Sequence, residues 1–201
     1  MLLNLASTVA RTEAEGPGLR YALWVQGCPM RCPGCCNPHY LKGAPARTVT
    51  VAALRDEIRQ VDGIEGVTFL GGEPFSQAPS LGALAQALRQ DGLSVMVFSG
   101  YTLRQLQAPR FAPLLQQTDL LIDGPYIASQ ASRARRWIGS SNQQIHFLSE
   151  RYRELEARWP AGDTVELRLK RTRDGAVTLS INGYPHDDIS ALIRASLSPE
   201  S

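Results

Sequence analysis

The chain has 201 residues, of which 43% are hydrophobic and 20% charged, with a formal net charge of +2. These values describe an ordinary globular protein of one domain with at most an appendage, and the charge is too small to argue for a nucleic-acid partner. No apolar run approaches the ~18 residues of a membrane helix, residues 1–5 are too short for a signal h-region, and a reducing cytoplasm is the expected home.

In chain order, the first predicted element is a strand over 19–25, entered through the turn Gly16-Pro17-Gly18. Arg20 at its start is read either as a contact for an anionic group or as a solvent-facing side chain. The strand runs into a Gly- and Pro-broken loop that holds all four cysteines, Cys28, Cys32, Cys35 and Cys36.

Read as C-x-x-x-C-x-x-C, the loop supplies three thiolates from Cys28, Cys32 and Cys35. Three thiolates can hold three corners of an iron–sulfur cube and leave the fourth iron open, whereas clusters that only pass electrons normally take four. A closed zinc site needs four ligands, and no second cysteine pair exists; a disulfide framework needs an oxidising compartment and dispersed cysteines. Both rank behind the cluster. Cys36 is too close to Cys35 for a fourth corner and is read as a packing or partly exposed thiol open to oxidation.

After a connector over 41–47, Thr50 is predicted to cap a helix reaching about Val61, with Asp62-Gly63 as its stop. A buried strand over 67–70 ends in Gly71-Gly72-Glu73-Pro74, where bare backbone and a carboxylate can meet a ligand. Ser80 is expected to cap the next helix, which carries Leu81, Leu84, Ala85 and Leu88 and stops at Gly92. A strand over 93–98 opens into Ser99-Gly100-Tyr101, followed by a helix over 102–107, helical pieces over 113–117 and a strand over 120–123. Strands alternating with helices predict parallel βαβ units, whose chemistry gathers at the C-terminal strand ends. All of the suggestive loops fall at that rim.

Residues 129–136, with Arg133, Arg135 and Arg136, are read as a mobile, solvated loop, and His39, His146 and His186 show no metal spacing. Beyond about Gly162 the period changes to two: Val165, Leu167 and Leu169, then Val177, Leu179 and Ile181, flank Asp174-Gly175 and predict a hairpin. It is expected to cover a sheet edge or to recognise a partner. Residues 196–201 are expected to fray. The predicted division is a core over 1–160 and an extension over 161–201.

The cysteine spacing resembles that of the radical S-adenosylmethionine (SAM) superfamily. The order of Glu15-Gly16-Pro17-Gly18-Leu19-Arg20, Gly71-Gly72-Glu73-Pro74, Ser99-Gly100-Tyr101, Asp123-Gly124-Pro125-Tyr126 and Gly139-Ser140-Ser141-Asn142-Gln143 resembles that of glycyl-radical-enzyme activases, most of all the anaerobic ribonucleotide reductase type. The resemblance covers about the first three-quarters of the chain. It implies a partial, open (β/α) barrel and a [4Fe–4S] cluster on Cys28, Cys32 and Cys35, with SAM chelating the open iron. Gly71, Gly72, Glu73 and Pro74 would form the SAM amino-group site, Ser99 would meet SAM, and Tyr101 would pack beside it. Asp123 would face SAM or substrate, and Asn142 would bond the SAM ribose or a backbone turn. The Gly16-Pro17-Gly18 turn would approach the substrate. No side chain is assigned as catalytic.

The implied partners are a glycyl-radical enzyme or another protein or peptide, and an electron donor of the flavodoxin or ferredoxin type. The alternatives are a radical SAM enzyme acting on another peptide, protein or small molecule, and a cluster-bearing binding or electron-transfer module. Two features depart from the activase pattern: Cys36, where an aromatic is usual, and the C-terminal hairpin.

Overall fold

The computed structural model describes residues 1–162, 164–172 and 175–183. Its main sheet grows outward from two antiparallel neighbours, β1 (Leu2–Thr12) and β2 (Arg20–Val25). With β3 (Arg47–Thr50), β4 (Gly66–Gly71), β5 (Ser94–Phe98), β6 (Leu120–Asp123) and β7 (Gln144–Phe147), they form a seven-stranded sheet in the order β3-β1-β2-β4-β5-β6-β7. The central strands β2, β4, β5 and β6 run parallel, as the alternation of strands and helices predicts. The sheet stays open, with β3 and β7 at its edges.

Three strands were not expected from sequence. β1 places Leu3 and Leu5 in the core at a period of two. β3 closes the connector by pairing with β1, and β7 pairs antiparallel with β6.

The helices α1 (Val51–Arg59), α2 (Ala78–Gln90), α3 (Leu103–Leu106) and α4 (Ala112–Leu115) lie along the middle of the chain, and α5 (Arg153–Glu156) follows β7. Thr50 caps α1 by accepting from Ala53 N at 3.1 Å, as predicted. Thr102 opens α3 in a reciprocal capping box with Gln105. Ser80 caps nothing: α2 begins earlier, at Ala78, straight out of a 3-10 turn over Pro74–Gln77. Pro79 in the first turn has no N–H to satisfy, and buried Phe75 and Ala78 draw the helix start into the core.

The alternation along β2 divides the protein into two sides. Tyr21, Leu23 and Val25 pack with Leu54, Leu81, Leu84 and Leu88 of α1 and α2. Ala22 and Trp24 point the other way, with Leu70 and a partly buried Phe98. Helices thus cover one face of the sheet, and the opposite face is hollowed.

Arg20 overturns both of its sequence readings, because it is fully buried. Its guanidinium donates to Thr68 Oγ1 at 2.7 Å, Val67 O at 2.6 Å, Ser94 Oγ at 3.0 Å, Tyr152 OH at 2.8 Å and Pro17 O at 3.1 Å. Burial lowers its pKa, with Tyr152 and Glu65 opposing. It is a rivet that ties the glycine turn, three strands and the segment before α5 together.

The predicted hairpin is present as β8 (Val165–Arg171) and β9 (Val177–Gly183), a separate two-stranded antiparallel sheet. Leu167 pairs with Ile181 and Leu169 with Leu179. Glu166 anchors it to the end of β1 by accepting from Thr12 Oγ1 at 2.8 Å and Glu13 N at 2.7 Å. The expectations for Asp174, His186 and 196–201 fall outside the described residues. Among those residues no helix is long and apolar enough to cross a membrane.

Candidate metal and cofactor centre

The loops at the C-terminal ends of β2, β4, β5 and β6 meet around a cavity of about 560 Å3. Cys28, Cys32 and Cys35 line it, half-buried, together with Gly71, Gly72, Glu73 and Ser99.

The cysteine loop curls through Gly27, Arg31 and Gly34, all with positive φ, and Arg31 adopts φ 48° with a full side chain. Such backbone is costly for a residue with a Cβ and is tolerated where surrounding contacts hold it. Cys35 N–H donates to Cys32 O at 3.1 Å, and Asn37 N–H to Cys35 Sγ at 3.4 Å. Burial pushes the Cys28 thiol up, against the N–H groups of Met30 and Arg31, which favour its thiolate. The Cys36 thiol, donating to Cys35, pulls Cys35 down, and the Asn37 N–H adds to that effect.

Backbone donors on two of three thiols lining one cavity suit an iron–sulfur cluster, whose charge and potential respond to such bonds. The donor set fits the group. Among the described residues no three His, Cys, Asp or Glu side chains surround a single-ion position, and a cube spreads its three thiolates over three irons. Cys36 also borders the cavity and is exposed.

Gly71 and Gly72 follow from how β4 meets β2. A Cβ at Gly72 would lie 2.2 Å from Gly27 O, and one at Gly71 2.6 Å from Trp24 Cβ. Gly72 N–H donates to Val25 O and Glu73 N–H to Gly27 O, both at 2.8 Å. The bare backbone therefore admits the cysteine loop as well as facing the cavity.

Glu73 borders the cavity but is only 1% exposed. It accepts from Phe75 N at 3.0 Å, Ser99 Oγ at 2.9 Å and Gly100 N at 2.8 Å. It thereby clamps the β4 and β5 rims together. Burial raises its pKa to about 7, against those three bonds.

Other predicted residues lie behind the lining. Pro74 is buried at the start of its 3-10 turn. Asp123 is buried, accepts from Leu103 N at the start of α3, and has His146 Nε2 at 3.1 Å, while its neighbour Gly124 reaches the cavity. Asn142 donates to Pro125 O at 2.8 Å, and the next residue, Gln143, lines the cavity. Tyr101 packs against Phe111 at 5.0 Å, on the helical side. The arginine segment over 129–136 is pinned rather than loose: Arg135 donates to Ser141 O at 3.2 Å and Gln143 O at 2.9 Å.

Sequence reasoning missed the far wall, built from Glu15, Trp137, Ile181, Asn182 and Gly183. Glu15 was visible in its motif, but without a role. It is 8% exposed, accepts from Gly183 N at 2.8 Å, and burial raises its pKa to about 7. Trp137 holds φ 64°, donates to Ala14 O at 3.0 Å and meets Trp159 edge-on at 5.3 Å. An apolar Trp137-Ile138 pair inside a polar stretch was the available signal.

A sequence profile described as a 4Fe-4S single cluster domain matches residues 14–146. The anaerobic ribonucleoside-triphosphate reductase-activating protein of Escherichia coli (strain K12) is 30% identical over 142 residues, covering 67% of this chain and 92% of that protein. The protein of the same name from Vibrio cholerae is 33% identical over 145 residues, covering 66% and 90%. The pyruvate formate-lyase-activating enzyme of Staphylococcus epidermidis is 39% identical over 101 residues, covering 47% of this chain and 40% of that one. With the cysteine loop, the glycine-rich rim and the shared cavity in place, the chain belongs to the 4Fe-4S single-cluster family within the radical SAM superfamily.

Proposed function

We propose that this radical SAM enzyme installs a glycyl radical on a partner enzyme, of which an anaerobic ribonucleotide reductase is the first candidate. The observation that carries the reading is similarity to proteins named as activators over about nine-tenths of their length. When bound, the reduced cluster would supply the electron for reductive cleavage of SAM, the chemistry by which a hydrogen atom would be taken from the partner's glycine Cα.

The protein's own residues hold and orient. Cys28, Cys32 and Cys35 are the proposed cluster ligands. Gly71 and Gly72 form the rim, and Glu73 fixes Ser99 and Gly100 relative to it while keeping lone-pair capacity for the SAM ammonium. Asp123 and Asn142 act through the loops they brace. Glu15 borders the cavity on its far wall, whereas the Gly16-Pro17-Gly18 turn is held by Arg20, which donates to Pro17 O, and is not part of the lining. The proposed division remains a core over 1–160 and an extension over 161–201, with electrons from a flavodoxin- or ferredoxin-type donor.

A second reading, modification of a different protein or peptide, is favoured by one observation. β9 borders the cavity although it lies beyond residues 14–146, which carry the family match.

The test is anaerobic reconstitution followed by dithionite, SAM and the candidate glycyl-radical enzymes of the same genome. The activase reading expects 5′-deoxyadenosine, methionine and a doublet EPR signal on the partner, with deuterium passing from a labelled glycine Cα into 5′-deoxyadenosine. SAM cleavage with no radical on any such partner favours the second reading.

A further inference from the structure

Asn182 is a buried polar side chain with unused capacity. It is 6% exposed, borders the cavity, and its Nδ2 has no hydrogen-bond partner among the described residues. An amide donor shut away from water without a partner is costly, so one left in a cavity wall points to an acceptor that arrives with a ligand.

Several other donors around the cavity are already committed inside the protein. Ser99 Oγ and Gly100 N serve Glu73, Gln143 Nε2 serves Gly124 O at 3.1 Å, and Trp137 Nε1 serves Ala14 O. Asn182 stands out against them.

It is also held in place. On one side of Asn182, Gly183 N–H is fixed by Glu15, and a Cβ at Gly183 would lie 2.0 Å from Thr164 O. Across the hairpin its register partner is Glu166, itself bound to Thr12 and Glu13. The donor is thus anchored on both sides in the wall of the same cavity that Cys28, Cys32, Cys35, Gly72 and Glu73 line.

We infer that Asn182 completes the SAM site, donating its side-chain amide to an oxygen acceptor of the bound molecule, either the carboxylate or a ribose hydroxyl. The hairpin then forms part of the cofactor pocket, beyond residues 14–146 of the family match. The inference rests on the SAM chemistry of the proposed function and is independent of the glycyl partner.

The experiment titrates SAM by calorimetry into cluster-loaded wild-type, Asn182→Ala, Asn182→Asp and Ser180→Ala proteins. Ser180 lies on the same strand and is exposed, so it reports any general effect of altering the hairpin. Losing a donor to a charged or strongly polar acceptor is expected to weaken SAM binding about tenfold in Asn182→Ala. Iron content and thermal midpoint should stay near wild type, and Ser180→Ala should bind normally. Asn182→Asp distinguishes the acceptors: a carboxylate is repelled and affinity falls further, whereas a ribose hydroxyl can donate to Asp and affinity partly returns. Asp also preserves the side-chain volume if the Ala variant does not fold. Wild-type affinity in both Asn182 variants overturns the inference, as does an equal loss in Ser180→Ala. A wild-type protein that binds no SAM overturns the underlying SAM reading with it.

Discussion

Glu15 Oε1 accepts from Gly183 N at 2.8 Å, joining the turn before β2 to the last described residue of β9 across 168 positions. This bond brings the C-terminal hairpin to a cavity whose other walls come from the family core. Burial raises the pKa of Glu15 to about 7, with Gly183 N–H opposing and Glu166 reinforcing.

The first prediction concerns pH. Glu15 and Glu73 both titrate near 7 in the folded protein, above their usual value of 4.5. The folded state therefore holds more protons than the unfolded state between those values. The stability they contribute is fully present below about pH 4.5 and declines as pH rises through about 7. Denaturant melts of apo protein across pH 5–8 should show this slope, and Glu15→Gln should flatten part of it. A stability curve rising through that window would contradict the assignment.

Cluster ligation is the second prediction. Alanine at Cys28, Cys32 or Cys35 should abolish or cripple cluster assembly, whereas Cys36→Ser should retain it. Iron and sulfide content after anaerobic reconstitution decides. Equal loss of iron in Cys36→Ser would falsify the ligand set.

Third, Glu73→Ala removes the acceptor of Phe75 N, Ser99 Oγ and Gly100 N in one step. Buried donors left without partners each cost about 1–3 kcal/mol, so the melting midpoint should fall clearly. SAM affinity should fall about tenfold or more, because two rims lose their clamp and the ammonium its acceptor. Calorimetry on cluster-loaded protein measures this, and an unchanged dissociation constant would remove Glu73 from the SAM site.

The fourth prediction is structural. Arg20→Lys should destabilise the fold by about 3 kcal/mol or more, because an ammonium cannot reach the oxygens spanned by the planar guanidinium and still carries a buried charge. Urea melts test it. A near-neutral result would mean that Arg20 is not the rivet its five bonds describe.

Much of the core was legible in the sequence because its signals are local. Thr50 caps the helix it precedes, since a cap needs only the next turn. The apolar runs of β2, β4, β5 and β6 reflect strands buried on both faces, which need no partner to be recognised. Asp123 marked a strand end correctly, but local signals cannot tell a carboxylate facing a ligand from one that accepts from α3. The difference lies in residues 20 positions apart.

By itself the sequence determined the thiolate loop, the parallel sense of the core strands and the hairpin, each from spacing, periodicity or the alternation of neighbouring elements. Only the tertiary structure decided that Arg20 is buried, that Gly72 admits the cysteine loop, and that Asn182 and Glu15 share a cavity with Cys28. These facts depend on contacts between distant segments, and the free energy of such a contact is set by which surfaces meet. The residue types alone do not contain that information.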